Sequence, residues 1–171
     1  MNPPNPDPIP TTPHLSLSQM SEQEAEAISG WQYPAPYDSY KWPSWAKMLE
    51  QGLEFGDPHF RQEQYLAVHD QRTQQLVGYI QLFPLGQTTT RIGMGLRPDC
   101  CDLGWGSSIT KLAVEEASRR QPGAEIDLEV EKWNKRAIRA YEKADFITTD
   151  EYEKHSAHGQ VSVFCMVWHN L

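Results

Sequence analysis

Three short runs rich in β-branched and aromatic residues follow one another from residue 64: QYLAVHD, LVGYIQLFP and TTTRIGMGL. The turns between them, DQRTQQ and PLGQ, are too short to carry a crossover. The runs are therefore expected to be neighbours in an antiparallel meander. The pattern then changes period. In WGSSITKLAVEEASRR the apolar residues Trp105, Ile109, Leu112, Ala113 and Ala117 share one helical face, and Gln121-Pro122-Gly123 stops the helix. EIDLEV returns to strand spacing, with Ile126, Leu128 and Val130 on one side. NKRAIRAYEKA is a second helix, with Asn134 as its cap and Ala137, Ile138 and Tyr141 on one stripe. DFITTDEY and GQVSVFCMVW close the chain as strands. Upstream, HLSL is a candidate first strand. Ser21-Glu22-Gln23-Glu24 has the form of a capping box, opening a helix to about Ile28 that Gly30 ends. The expected order is β-α-β-β-β-α-β-α-β-β, an α+β (α/β mixed) sheet with no internal repeat.

Two stretches depart from this regularity. The first 13 residues hold six of the 13 prolines. Proline removes backbone donors, so residues 1–13 are expected to be a disordered tail and 14–171 the single folded domain. Residues 31–60 are crowded with Trp, Tyr, Pro and Phe, and Lys47 to Glu54 suggests a short helical piece. This segment reads either as a packed connection or as a wall over a binding site.

Charge limits the partners. Fifteen Lys+Arg against 23 Asp+Glu leave a net charge of −8. A nucleic-acid protein that works by neutralising phosphates is excluded on that ground. No apolar run approaches a membrane span, and the N-terminus lacks the basic start and apolar core of a signal peptide. Three cysteines, two of them the adjacent Cys100 and Cys101, imply no disulfide framework. The setting expected is cytoplasmic and reducing.

The stretch LRPDCCDLGWGS, Leu96 to Ser107, carries the clearest chemistry. A strand ends, a loop with Gly104 and Gly106 follows, and a helix begins. The first N–H groups of a helix lack partners and sit at the positive end of its dipole, so this turn can cradle an anion on main chain. It is neither a P-loop, since no G-x-x-x-x-G-K-[ST] is present, nor a Rossmann turn, since no G-x-G-x-x-G is present. A purely structural turn would look similar.

A second stretch, LEVEKWNKRAIRAYEKADF, completes a pattern. The loop Pro98-Asp99-Cys100-Cys101-Asp102-Leu103-Gly104-Trp105-Gly106 is similar to the P-x-x-[RQ]-G-x-G-x-[GA] signature of the GNAT superfamily of acetyl-CoA-dependent N-acetyltransferases. Val130, Asn134, Ala137, Tyr141 and Asp145-Phe146 resemble that family's V-x-x-x-N-x-x-A-x-x-x-Y-x-x-x-G-F. The resemblance covers roughly residues 64–168. It implies a central, mostly antiparallel mixed sheet flanked by helices. There are departures: Cys101 stands where Arg or Gln is usual, and Asp102 and Asp145 stand where Gly is usual.

The resemblance implies acetyl transfer from acetyl-CoA to a primary amine by direct attack. Cofactor contacts would come from Cys101, Asp102, Leu103, Gly104, Trp105, Gly106, Ser107 and Asn134. The strand end at Gly95-Leu96 would hold the pantetheine arm, with a bulge there opening the sheet. A main-chain N–H near Leu96 would meet the oxyanion. Tyr141 would reprotonate the departing thiolate; its alternative is a core aromatic. Asp127, Glu129 and Glu131 alternate on one strand face, and three buried carboxylates would repel. Glu129 has the spacing of a base seen in GNAT enzymes resembling ribosomal-protein alanine acetyltransferases; its alternative is a solvated face. Asn134 can cap its helix and touch cofactor at once. His155 and His158, in an expected loop, have no clear third ligand, so no metal is expected. Cys100 and Cys101 read as loop residues, with mixed-disulfide control as the alternative. Carboxylates and aromatic faces favour a cationic acceptor such as a polyamine, an amino sugar or a peptide N-terminus. A homodimer is compatible with this reading. The runner-up is a non-catalytic acyl-CoA-binding or sensor module of the same fold.

Overall fold

The computed structural model describes residues 13–170. The expected tail, apart from its last residue Pro13, lies outside the described residues; Pro13 itself is buried. Seven strands form one sheet: β1 Leu15–Gln19, β2 Tyr65–Asp70, β3 Leu76–Leu85, β4 Thr89–Leu96, β5 Glu125–Glu131, β6 Phe146–Ser156 and β7 Gly159–Trp168. Their order is β1-β2-β3-β4-β5-β7-β6. Every neighbouring pair is antiparallel except β4 and β5, which run parallel. The helices are α1 Glu22–Ser29, α2 Trp45–Gln51, α3 Pro58–Gln64, α4 Gly106–Arg120 and α5 Lys135–Lys143.

Strand alternation divides the core into two layers. On β2, Leu66 and Val68 enter one cluster with Ile80, Ile92, Ile109, Ala113 and Leu128 beneath α4. Tyr65 and Ala67 enter the other with Ala25, Ile28, Met48 and Phe55 beneath α1 and α2. Ile126, Leu128 and Val130 all bury on the α4 side, as their period-2 spacing requires. The capping box at Ser21 forms in both directions, with Glu24 N–H donating to Ser21 Oγ and Ser21 N–H to Glu24 Oε1.

Three elements differ from the sequence reading. The helical piece expected over 47–54 is Trp45–Gln51, because Gly52 turns left-handed at φ +60° and ends it. Helix α3 was not anticipated. Its signal is Asp57-Pro58: Asp57 Oδ1 accepts from His59 N (2.8 Å) and Phe60 N (3.1 Å), and proline suits the first turn. The expected loop holding His155 and His158 is mostly strand. β6 runs to Ser156 and pairs with β7 down to Ser156↔Gly159. As an edge strand it is exposed from Ile147 to His155, so it lacks the alternation that marks a half-buried strand.

Candidate active site

β4 and β5 pair over only three residues, Thr89↔Glu125, Thr90↔Ile126 and Arg91↔Asp127. Beyond Arg91 the strands separate. β3 and β4 stay in continuous register from Gly78↔Leu96 to Leu85↔Thr89, so the expected bulge at Gly95-Leu96 is absent. The gap comes from divergence of the parallel pair. Arg97 N–H donates to Val77 C=O (2.7 Å). Antiparallel alternation then directs the N–H and C=O of Gly95 to β3, and those of Met94 and Leu96 into the gap. An extended ligand amide would find there a row of main-chain partners that no strand fills.

The gap is part of a cleft of about 1150 Å³. One wall is the start of α4. The first helical bond runs from Ile109 N–H to Trp105 C=O (3.0 Å), which leaves the N–H groups of Gly106, Ser107 and Ser108 without helical partners. No side chain caps this end and no acid lies in its first turn. Asp102 adopts φ +63° and Gly104 φ +77°. The glycine usual at position 102 in the resembling signature is thus a conformational requirement, which Asp meets at some cost. Asp145 is a parallel case at φ +69°. The Asp102 carboxylate turns to Arg136 Nη1 (3.1 Å), so its charge is paired. Gly104 would meet nothing if given a Cβ, whereas Gly106 would bring one to 2.9 Å from Ala140 Cβ. Gly106 is therefore needed for close packing of α4 on α5. Cys101, Asp102, Gly104, Trp105, Gly106 and Ser107 all line the cleft. Leu103 does not; its side chain is exposed.

The second wall is α5 and the end of β5. Asn134 caps α5, its Oδ1 accepting from Ala137 N (3.1 Å), while its Nδ2 donates to Tyr40 Oη (3.0 Å). Tyr141 lines the cleft and packs against Phe146 with ring centroids 6.3 Å apart. Burial pushes its hydroxyl up to about 12, so the phenol keeps its proton at neutral pH. Lys135, Arg136, Arg139 and Lys143 of α5 also line the cleft. The net charge of −8 therefore does not extend to this wall, a feature the composition hid.

The carboxylate row is resolved by a residue outside it. Arg91, opposite Asp127 in the parallel register, grips Asp127 with Nε (2.9 Å) and Nη2 (2.8 Å) and Glu129 with Nη1 (2.5 Å). Asp127 is buried by this pairing. Glu129 lines the cleft, and its second oxygen meets Lys154 Nζ at 3.2 Å. Glu131 also lines the cleft and accepts from Trp133 Nε1. Sequence reasoning missed both Arg91 and Lys154, because neither belongs to a motif.

The aromatic segment divides between core and cleft. Phe55 is fully buried, and Trp31 and Trp45 pack against its cluster. Tyr33, Tyr37, Tyr40 and Trp42 line the cleft. They form a strap across the gap. Tyr33 Oη donates to Leu96 C=O (2.7 Å) on the β4 side. On the β5 side Tyr40 stacks on Trp133 (5.7 Å, 20°), and the Arg136 guanidinium lies 3.7 Å from the Tyr37 ring centre.

The sheet is thus split at a parallel pair, with gap-facing backbone at the split and an uncapped helix start beside it. The acetyltransferase (GNAT) family matches residues 22–146, and the chain belongs to that family. It is an acyltransferase with acetyl-CoA as cosubstrate. The spermidine N-acetyltransferase of Vibrio cholerae, solved in complex with CoA and spermine, superposes with a TM-score of 0.73 at 16% identity, covering 90% of this chain and 94% of that one. A GNAT-family acetyltransferase from Bacillus anthracis gives 0.72 at 15% identity, covering 90% and 93%. At such identities the likeness is one of fold. No curated protein sequence matches the chain. Among the described residues no helix is long and apolar enough to cross a membrane.

Proposed function

We propose that the protein moves an acetyl group from acetyl-CoA directly onto a cationic primary amine. The observation that carries this reading is the split between β4 and β5, which brings the main chain of Met94 and Leu96, the α4 start and Tyr141 to one cleft. Cys101 to Ser107 would hold the pyrophosphate on backbone N–H groups, with the basic face of α5 beside it. Met94 and Leu96 would hold the pantetheine amides, and a free N–H there would face the developing oxyanion. Acetyl-CoA, when bound, supplies the activated acyl carbon. Tyr141, neutral at pH 7, would give its proton to the leaving sulfur.

The case for a cationic acceptor is local rather than global. It rests on Glu129 and Glu131, on the strap tyrosines and Trp42, and on the fact that Glu129 already accommodates an ammonium, that of Lys154. The Vibrio cholerae enzyme of the same fold binds spermine. Since Glu129 is held by two cations, its role in this reading begins with displacement of Lys154 by the acceptor. The test is thiol release from acetyl-CoA with a panel of amines matched in size, at two salt concentrations. A polyamine, amino sugar or peptide N-terminus is expected to outperform an anionic amine, with kcat/KM falling as salt rises. Preference for the anionic amine would overturn the electrostatic reading. Binding of acetyl-CoA without thiol release to any amine would instead favour a sensor module.

A further inference from the structure

Lys154 has an unusual address for a lysine on an edge strand. It belongs to β6, yet its Nζ lies 3.2 Å from Glu129 Oε2 and the residue lines the cleft. Of the seven lysines in the chain, Lys41, Lys135 and Lys143 line the cleft as well. Among the described lysines only Lys154 is ion-paired to a carboxylate that lines it.

The register places the carboxylate that this nitrogen meets beside the gap. Arg91 faces Asp127, so two residues further on Gly93 is level with Glu129, just where the strands have parted. Met94, whose backbone faces the gap, is the next residue. Strand alternation puts Gly93 and Gly95 on the same sheet face as Glu129. Neither glycine places a side chain between Lys154 and the gap; the space beside Gly95 is taken by the Tyr79 ring, 2.5 Å from where a Cβ would stand, and Gln81 lies beside Gly93.

We propose that Lys154 is an acetyl acceptor in its own right, and that the chain acetylates this side chain when no external amine occupies the cleft. The inference rests on the acetyl-transfer reading of the same cleft. The Lys154 ammonium gives one proton to Glu129, and its freed lone pair forms a C–N bond to the acetyl carbon. The C–S bond breaks, the sulfur takes a proton from Tyr141, and the nitrogen sheds its second proton through Glu129. Return of one proton to Tyr141 and loss of one to solvent restore both side chains. The balance is ammonium plus thioester giving acetamide, thiol and one proton. The product carries no charge, so acetylation would leave Arg91 as the cation that holds that carboxylate.

The experiment incubates the full chain with acetyl-CoA and no amine, then measures acetylation of each lysine by peptide mass spectrometry over time. Lys154 is expected to react more than about tenfold faster than Lys47 and Lys111, which are exposed and outside the cleft, because confinement raises its effective concentration. Tyr141→Phe should slow Lys154 by ~10²-fold and leave Lys47 and Lys111 unchanged. Lys154→Arg, which keeps the ion pair, should abolish the fast phase. Saturating external amine should suppress it. Acetylation of Lys154 at the rate of Lys47, or at equal rates with and without Tyr141, is uncatalysed and overturns the proposal. Thiol release to an external amine with Lys154 left unmodified overturns the proposal alone. Absence of an acetyl-CoA thermal shift and of release to any amine overturns the underlying reading as well.

Discussion

The two sides of the cleft are built from different materials. The α4 side presents backbone: Gly104 at φ +77°, the unpartnered N–H groups of Gly106 to Ser108, and the gap-facing amides of β4. The strap side presents side chains: Tyr33 on Leu96 C=O, Tyr40 on Asn134, and Tyr37 under Arg136. A backbone wall tolerates changes of residue so long as conformation and packing hold. This is why Cys101 and Asp102 can replace the usual residues without closing the turn. A side-chain wall has no such tolerance, and it is where acceptor choice is expected to reside.

The largest effect should come from the one place where the donor's fate depends on a side chain. Tyr141→Phe is expected to lower kcat by ~10²–10⁴-fold with little change in acceptor KM. Steady-state thiol release measures both, and an unchanged kcat would return Tyr141 to the core. Next is Gly106→Val. Even the first added carbon meets Ala140 at 2.9 Å, so α4 must shift against α5. A loss of ~1–3 kcal/mol in stability and disappearance of the acetyl-CoA thermal shift are expected. Ser107→Ala, on the same wall, should leave that shift intact. If it does not, the wall is not made of backbone.

Smaller effects should appear on the strap. Tyr33→Phe and Tyr40→Phe each remove one hydrogen bond, worth ~1 kcal/mol. The acceptor KM is expected to rise a few-fold while the acetyl-CoA shift stays as it was; calorimetry with each ligand separates the two. The smallest effect concerns pH. Burial raises the Tyr141 hydroxyl from its ordinary value of 10.0 to about 12. A raised folded-state value gives stability that is present in full below pH 10 and lost as pH rises through about 12. Melting temperature should therefore decline in that window, and less steeply in Tyr141→Phe.

The same division explains what could be read from the chain alone. The meander, α4, β5 and α5 follow from period and turn chemistry, and the family signatures fall on them. The α4 side was legible because glycines and a strand-turn-helix change announce a main-chain site. The strap was not. Trp31, Trp45 and Phe55 read just like Tyr33, Tyr37 and Tyr40, yet the former pack with the core and the latter line the cleft, and Trp42 does both. Only tertiary placement separates them. Arg91 was equally silent, because its meaning depends on a parallel register with β5 that links residues 36 apart. Asp127, Glu129 and Glu131 were visible as a conflict of charge, but the cations that resolve it lie on other strands.

The three residue pairs between β4 and β5 have a consequence for the way the molecule breathes. They are the thinnest seam in the sheet, with the β1–β4 half on one side and the β5–β7 half on the other. A ligand whose amides pair with Met94 and Leu96 adds rungs where the seam is open, and so behaves as a partial strand. Amide hydrogen exchange would record this as slowed exchange at Met94 and Leu96 on adding CoA, together with greater protection on both sides of the seam. The donor would thus be part of the cooperative unit that holds the two halves together.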